Sequence, residues 1–345
     1  MRIAPVADDL LEWLALRLNL APVPVAASVY GMPAARTLAV AQRLGLLAHL
    51  ARTPATAPEA ARALRLEPVP TRLLLEALAG ARHLTRRRRD GRYALHRRAR
   101  RWLDPASPSS VAGYLDHTAD YWEWWADLER IVRDGGSFAI HDAAPDDPSW
   151  RRYITGQHEL ARLNAEEVAS QIDLPPGATR LLDLGGAHGT FAAALCRRNP
   201  GLQATVLDLP GSVAAGREIA GHGVAFREGD MLDPETDLGG PYDAVLLFDV
   251  LHHLTPEQTL GLLRRIRTVL RPGGPLAVLD LFRTGRRRRR PRASAAYLGL
   301  FFHLTSGTDL PSAPDLRRRL AAAGFGPPER RRVRRLPDQA LYVAH

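Results

Sequence analysis

The residues with the clearest chemistry lie in a glycine-rich turn that follows a short apolar run. Asp183 is followed by Gly185, Gly186 and Gly189. A dinucleotide-binding turn needs the spacing Gly-x-Gly-x-x-Gly. Counted from Gly185, that spacing fails at its second and third glycines, where alanine and threonine stand. The acid two residues before the first glycine suits a ligand with an ammonium group better than a pyrophosphate, so the turn predicts a different cofactor.

Polar residues also follow the next two predicted strands. Asp208 and Leu209 end the second strand, and Gly229, Asp230 and Met231 follow the third. An acid at the end of the second strand accepts hydrogen bonds from ribose hydroxyls in several nucleoside-binding folds, so Asp208 alone does not identify the cofactor. Because the carboxyl ends of parallel strands meet at one edge of a sheet, the three segments are expected to form one site.

These three segments together resemble the cofactor motifs of class I methyltransferases that use S-adenosylmethionine (SAM), although that family usually has glycine at Ala187. The resemblance implies SAM as the cofactor and S-adenosylhomocysteine as its product. It also implies that Asp208 binds the ribose, that Asp230 accepts a hydrogen bond from the adenine amino group and that Met231 packs on the adenine face. The implied cofactor contacts are Asp183, Gly185, Gly186, Gly189, Asp208, Leu209, Gly229, Asp230, Met231 and Phe248.

The fourth strand runs into the sequence Phe-Asp-Val-Leu-His-His-Leu, residues 248–254. It is similar to the Leu-His-Asp-Trp segment of plant and actinobacterial small-molecule O-methyltransferases, whose histidine removes the proton of the acceptor hydroxyl. The resemblance implies that His252 is this general base and that His253 replaces the family's aspartate. A structural role for His252 stays open, because many SAM methyltransferases carry a similar Leu-His-His-Leu segment whose histidine does no base chemistry.

A histidine base needs an acid that orients its other ring nitrogen. The resemblance implies two such acids, Asp280 after the fifth strand and Asp315 before the last helix. Plant enzymes tend to have glutamate at both positions, so these side chains reach one methylene less far. No Cys/His cluster has metal-ligand spacing, and the adjacent His252 and His253 cannot easily share one ion, so we expect a reaction without a metal.

Aromatic residues on three helical segments are candidates for binding a flat acceptor by stacking. They are Trp122, Trp125, His158, Phe301 and Phe302. Ordinary core packing is an equally good interpretation of the two phenylalanines and a more common role for a tryptophan cluster. The arginine run 286–290 is expected to form a mobile loop over the site entrance.

The elements that must position these residues alternate regularly from residue 173 onward. Alternating strands and helices with short connections predict a doubly wound α/β domain with a parallel, Rossmann-like sheet. Strands are expected at 180–184, 204–208, 224–228, 243–248, 275–281 and 340–344. Helices are expected at 188–198, 211–221, 256–270 and 314–323.

The first part of the chain has helical apolar spacing, and Asp90-Gly91 between two short runs is a strong hairpin signal. Helices followed by a hairpin predict a winged helix. We expect residues 1–105 to form a winged-helix dimerisation domain, 106–172 a helical linker that contributes to the substrate pocket, and 173–345 the SAM-binding domain. A DNA-binding regulator that senses a ligand is the alternative, but the two long apolar helices before the winged helix favour a homodimer.

Composition limits the remaining possibilities. The net charge is +10, but all 47 basic residues are arginine, as expected from coding bias, and the arginine runs suit solvated loops; nucleic acid is therefore not an expected partner. No apolar run is long enough to span a membrane, and the N-terminus lacks a signal peptide's pattern. A single cysteine excludes an internal disulfide and favours the cytoplasm.

The sequence as a whole predicts a SAM-dependent O-methyltransferase. Its acceptor is expected to be a small, aromatic secondary metabolite with a phenolic or enolic hydroxyl. Transfer to carbon or nitrogen by the same fold, or a relative that has lost methyl transfer, is the alternative.

Overall fold

The computed structural model describes residues 6–220, 223–283, 292–336 and 339–345, which form two compact units. The first unit ends at Tyr121 and the second begins at Trp122. This boundary falls inside the segment 106–172 that the sequence assigns to a linker. The predicted domain limits at 105 and 172 stay predictions, and the arginine run 286–290 lies outside the described residues.

The first unit has the predicted order of helices followed by a hairpin. Its elements are α1 (Leu10–Arg17), α2 (Val23–Arg43), α3 (Leu46–Arg52), α4 (Ala57–Leu64), α5 (Pro68–Gly80), β1 (Leu84–Arg86), β2 (Tyr93–Leu95), α6 (Arg97–Leu103) and α7 (Ala112–His117). The strands pair antiparallel with Leu84 opposite Leu95. A capping box of Thr56 and Glu59 begins α4. Leu46, Leu50, Leu75 and the hairpin leucines form one buried core.

Helix α8 (Tyr121–Ala126) crosses the boundary, and α9 (Leu128–Asp134), α10 (Pro148–Ala161) and α11 (Ala165–Ala169) follow it. The segment that the sequence predicts as a helical linker is therefore divided into several short helices. Thr118 donates its hydroxyl to the Leu115 carbonyl, and Asn164 donates its amide to the Leu160 carbonyl. Such side chains compete for backbone groups at helix ends, which explains where the helices break.

The second unit contains a seven-stranded sheet. Its elements are β3 (Arg180–Leu184), α12 (Thr190–Arg198), β4 (Gln203–Asp208), α13 (Pro210–Ile219), β5 (Val224–Glu228), β6 (Ala244–Phe248), α14 (Pro256–Val269), β7 (Leu276–Leu281), α15 (Ala293–Ser306), α16 (Ala313–Ala322), β8 (Glu329–Arg331) and β9 (Gln339–Ala344). The spatial order is β5-β4-β3-β6-β7-β9-β8. Strands β3 to β7 are parallel, and β9 pairs antiparallel with both β7 and β8.

Both faces of this sheet are covered by helices. Leu182 and Leu184 of β3 belong to a core with α14 and α16, whereas their neighbour Leu181 belongs to a second core with α11 and α12. Alternate residues of one strand thus serve opposite faces, as in a doubly wound fold. The chain reverses its direction of winding between β3 and β6, and the carboxyl edge at that point is where such folds bind ligands. The predicted α/β fold is confirmed.

Among the described helices, none is long and apolar enough to cross a membrane.

Candidate active site

A cavity of about 390 Å³ lies at the carboxyl edge of β3, β4, β5 and β6, inside the second unit. Six of the residues that the sequence assigns to the cofactor line it: Gly185, Asp208, Leu209, Gly229, Asp230 and Met231. Its size is within the range of small-molecule sites, which begins at about 300 Å³. The three polar segments that follow β3, β4 and β5 therefore do form one wall.

The glycine turn leaves no room for side chains. Gly185 has a φ of +67°, and a Cβ there would lie 2.7 Å from Cγ2 of Val250 and 3.0 Å from Cε of Met231. A Cβ on Gly186 would lie 2.3 Å from Cγ of Asp183, so this glycine covers the acid rather than the cavity. Gly189 begins α12 at a φ of +64° and packs against Val224.

Asp183 lies beneath this turn, is 1% exposed and does not line the cavity. Its Oδ1 is among the buried side-chain oxygens of the described residues that have no hydrogen-bond partner. Burial, with the charge of nearby Asp208 as the second cause, raises the pKa of Asp183 to about 7. The structure therefore holds a carboxyl group that a nearby cation would stabilise in its ionised form.

Asp208 is fixed at the end of β4 by backbone amides. Its Oδ2 accepts from the amide of Ala187 at 2.8 Å, and its Oδ1 accepts from the amide of Leu209 at 2.7 Å. Burial raises the pKa of Asp208 in spite of these bonds. Ala187 has a φ of +47°, a conformation in which glycine is less strained, so the family's usual glycine has a structural explanation.

Phe248 is not placed in the cavity wall. Its ring packs edge-on against Phe191 at 5.1 Å in the core, and the next two residues, Asp249 and Val250, line the cavity instead. Strand alternation explains this difference, because the last residue of β6 points into the α12 face of the sheet.

The structure brings His252 and Asp280 together. Nδ1 of His252 lies 2.6 Å from Oδ1 of Asp280, and the amides of Leu251 and Leu281 donate to the two carboxylate oxygens at 2.8 and 2.7 Å. Burial alone would lower the pKa of His252, but the charge and hydrogen bond of Asp280, with the charge of Asp249, raise it above its usual value. An acid thus orients the imidazole through one nitrogen, which is the arrangement that a histidine base needs.

His253 is the histidine of this pair that lines the cavity. Its Nδ1 lies 2.6 Å from Oγ of Ser306, and its ring centroid lies 4.1 Å from that of His252 and 4.4 Å from that of His141. Burial, with the charge of His252, lowers the pKa of His253 well below its usual value, and the same causes lower that of His141 to about 4. Both rings are therefore neutral at pH 7.

None of the five residues assigned to the acceptor lines this cavity: Trp122, Trp125, His158, Phe301 and Phe302. Phe302 packs on His252 with ring centroids 3.8 Å apart, and Phe301 stacks on Trp125 at 6.4 Å. Nδ1 of His158 lies 2.8 Å from the Thr190 hydroxyl at the start of α12. Phe302 thus packs on the histidine pair, and the role of all five residues toward an acceptor stays a prediction.

Asp315 is not brought to His252, so its expected orienting role has no geometric support. Its carboxylate accepts from the Ser312 hydroxyl and pairs with Arg318 at the start of α16, and these contacts lower its pKa. Ser312 in turn accepts from the Asp315 amide at 3.2 Å. Ser-x-x-Asp before a helix is a capping pattern, and here capping accounts for both residues.

Sequence reasoning missed Asp249. This residue lines the cavity, has a φ of +55°, and accepts a hydrogen bond at 2.5 Å from Nε2 of Gln339 on β9. Burial, with the charge of Asp280 as the second cause, raises the pKa of Asp249 to about 7. An acid at the carboxyl end of a buried strand, as at Asp208, was the signal that could have found it.

Asp249, His252 and Asp280 form a compact group. One nitrogen or oxygen atom from each lies within 4.8 Å of the others, close enough for a cation, although the residues are far from metal-motif spacing in the sequence. The expectation of a metal-free reaction stays a prediction. In the described wall of the cavity, the charged side chains are all acids: Asp142, Asp208, Asp230 and Asp249.

Comparison with known proteins places this geometry in context. Residues 126–326 match the model of the O-methyltransferase domain. The chain is 32% identical to 3-hydroxy-5-methyl-1-naphthoate 3-O-methyltransferase of Streptomyces sahachiroi, over 73% of this chain and 74% of that one. It is 33% identical to the N,N-dimethyltransferase OxyT of Streptomyces rimosus, over 76% and 80%. Human N-acetylserotonin methyltransferase in complex with SAM has a similar fold, with a TM-score of 0.82, 21% identity and coverage of 96% and 97%.

Proposed function

The chain belongs to the O-methyltransferase family of SAM-dependent enzymes, and we propose that it methylates a phenolic or enolic hydroxyl of a small secondary metabolite with His252 as the base. The observation that carries the proposal is the buried His252–Asp280 pair, 2.6 Å between Nδ1 and Oδ1, behind the wall of the cavity that the glycine turn borders. The family assignment gives no support to the alternative of a DNA-binding regulator.

The cavity wall fits SAM. A Cβ on Gly185 would occupy part of the cavity's edge. Asp208 has both carboxylate oxygens fixed by backbone amides, and Asp230 and Met231 line the adjoining wall. We infer that these residues hold the nucleoside and that Asp183 supplies the negative charge nearest the turn. When bound, SAM supplies an electrophilic methyl group on a positively charged sulfur.

The residues of this chain then have to remove one proton from the acceptor hydroxyl. A neutral phenol has a pKa near ~10 and is a weak nucleophile, whereas histidine has a pKa near ~6.5, so proton removal becomes practical as the new bond forms. Asp280 holds Nδ1 of His252, which leaves Nε2 as the proton acceptor. The carboxylate stabilises the imidazolium that results, and the surrounding apolar residues strengthen this interaction by excluding water.

The proposed function is tested by calorimetric titration of the full chain with SAM and by mass spectrometry of metabolites incubated with SAM and the protein. We expect saturable binding of SAM and a mass gain of one methyl group on a hydroxyl. A chain that binds neither SAM nor S-adenosylhomocysteine would contradict the proposal.

Transfer to nitrogen is the second candidate, since OxyT carries the name of an N,N-dimethyltransferase. The His252–Asp280 pair favours oxygen, because a neutral hydroxyl must lose its proton during transfer, whereas a neutral amine is already a nucleophile. The site of the added methyl group, read from product fragmentation, distinguishes the two.

Asp183 makes SAM binding and stability depend on pH. Its folded pKa of about 7 lies above its ordinary value of 3.8. The folded state therefore favours the protonated form, and the free energy of unfolding falls as pH rises from about 4 to about 7. We expect Asp183→Asn to raise the Tm of the ligand-free chain by a few °C at pH 8 and to change it little at pH 4.

The same residue should act in the opposite sense on the cofactor. Because a cation favours ionised Asp183, SAM affinity is expected to rise between pH 6 and pH 8 in the wild type and to be lower and flatter in Asp183→Asn. Thermal melts with and without SAM at three pH values measure both effects. An equal shift of Tm at every pH would show that Asp183 is ionised in the free protein.

We further propose a homodimer, formed through the first two helices. In α1 no described residue is buried, and large apolar side chains of α1, α2 and their connection are exposed: Leu10, Leu11, Trp13, Leu18, Leu20, Val25, Val29, Tyr30 and Met32. Exposed large apolar side chains concentrated on two consecutive helices are typical of an interaction surface. Light scattering is expected to give the mass of two chains, and Leu11→Arg is expected to shift it toward one.

The cytoplasmic location predicted from the single cysteine stays a prediction.

A further inference from the structure

We propose that Asp249 is a positioning residue for methyl transfer: with Asp280 it forms a pair of carboxyl groups around His252 and gives up a proton to the cavity when His252 gains one. This inference rests on the proposed function. It assigns a role to an acid that neither the resemblance nor the family comparison singles out.

Asp249 lies close to both His252 and Asp280. Asp249, His252 and Asp280 each place an oxygen or nitrogen within 4.8 Å of the other two, and Asp280 is fully buried. At such distances, with His252 and Asp280 buried, one group's charge changes the protonation of the others. Of these three side chains, Asp249 is the one that lines the cavity.

The fold holds Asp249 in place. Its amide donates to the Leu279 carbonyl at 2.7 Å, its Oδ1 accepts from Nε2 of Gln339 at 2.5 Å, and its φ is +55°. Left-handed backbone is unfavourable for most residues, although aspartate and asparagine adopt it more readily. Strands β7 and β9 thus fix this carboxyl group beside the histidine through contacts that a solvated surface acid would not have.

The protons of the proposed reaction balance. Methylation of a hydroxyl releases one proton, which His252 collects while Asp280 keeps its hydrogen bond to Nδ1. The positive charge on His252 then favours ionisation of Asp249, whose proton can leave to the cavity. Asp280 is enclosed and bonded to two amides and to His252, so it offers no such exit. The cycle closes when His252 loses its proton to Asp249 or to water.

The groups that face this carboxyl come from three elements. His252 follows β6, Asp280 is on β7 and Gln339 is on β9. His253 adjoins His252 and is neutral at pH 7. Among the charged and titratable groups that act on Asp249, Asp280 opposes its ionisation and protonated His252 promotes it, so the two titrations must be coupled.

The test is a histidine NMR titration of the full chain labelled on its histidine rings, with His252 assigned by the signal lost in His252→Gln. In the wild type we expect the His252 signals to show a second inflection near pH 7 as Asp249 ionises. In Asp249→Asn we expect that inflection to vanish and the pKa of His252 to fall by about one unit or more, as for removal of a neighbouring opposite charge.

Asp142→Asn is the matched control, because Asp142 lines the same cavity and its charge acts on His141. It should lower the pKa of His141 and leave that of His252 unchanged. The proposal is overturned if the pKa of His252 is the same in Asp249→Asn and in the wild type. It is also overturned if the wild-type titration of His252 shows a single inflection. This second outcome needs only the wild type, so it can be read even if the variant does not fold. If SAM failed to bind, the proposed function would be overturned instead. The histidine titration could still be interpreted, because it is measured without SAM.

Discussion

Replacement of His252 by glutamine is expected to lower the kcat of methyl transfer by about 10²–10⁴-fold, the usual contribution of a positioned base. The imidazole is the group that Asp280 orients at 2.6 Å, and glutamine is similar in length but cannot take up a proton. SAM affinity should change little, because the His252 side chain does not line the cavity. Calorimetry and a single-turnover assay of methyl transfer measure the two quantities separately.

His303→Gln is the matched control, since His303 is an exposed histidine of α15 that lies outside this cavity. It should retain the wild-type rate. If His252 is the general base, the wild-type rate of methyl transfer must also rise with pH through the raised pKa of His252, because only the neutral ring accepts a proton. If His252→Gln retained a rate within a few-fold of wild type, the base would have to be His253, which lines the cavity, or the substrate itself.

The second large effect is expected at Gly185. Alanine there should weaken SAM binding by about 10–100-fold, because a side chain on this left-handed residue would displace the turn that borders the cavity. In addition, its Cβ would lie 2.7 Å from Val250 and 3.0 Å from Met231, so two residues of the cavity wall would have to move. Calorimetric titration with SAM measures this loss.

Gly177→Ala separates the two causes. Gly177 has a φ of +76°, and a Cβ there would have no atom within 4 Å. This variant should lose some thermal stability through backbone strain but bind SAM as the wild type does. Equal SAM affinity in Gly185→Ala and wild type would mean that Val250 and Met231 can give way without affecting the cofactor site.

The residues of the central sheet could be predicted closely from sequence, because local apolar runs and turns determine them. Strands β3 and β5 have the predicted limits, and the acids and glycines after β3, β4 and β5 converge on one cavity. The resemblance also implied Asp280 as a partner of His252, and the structure brings these two side chains together.

Three positions differ from expectation because of the contacts that each side chain makes in the folded chain. Asp249 gains its partner Gln339 from a strand that lies 90 residues later in the chain and runs antiparallel to β7. Asp315 was predicted to serve a histidine, but the serine three residues before it offers a nearer partner. Phe248 was assigned to the cofactor by resemblance, although its strand position directs it into the core.

The acids that line the described part of the cavity have a consequence for turnover. SAM loses the positive charge on its sulfur when it gives up its methyl group. Asp142, Asp208, Asp230 and Asp249 would attract the cation more strongly than the neutral thioether that replaces it. On the proposed function, this wall would therefore hold the donor more strongly than the spent product, which would favour dissociation of the product once the methyl group has gone.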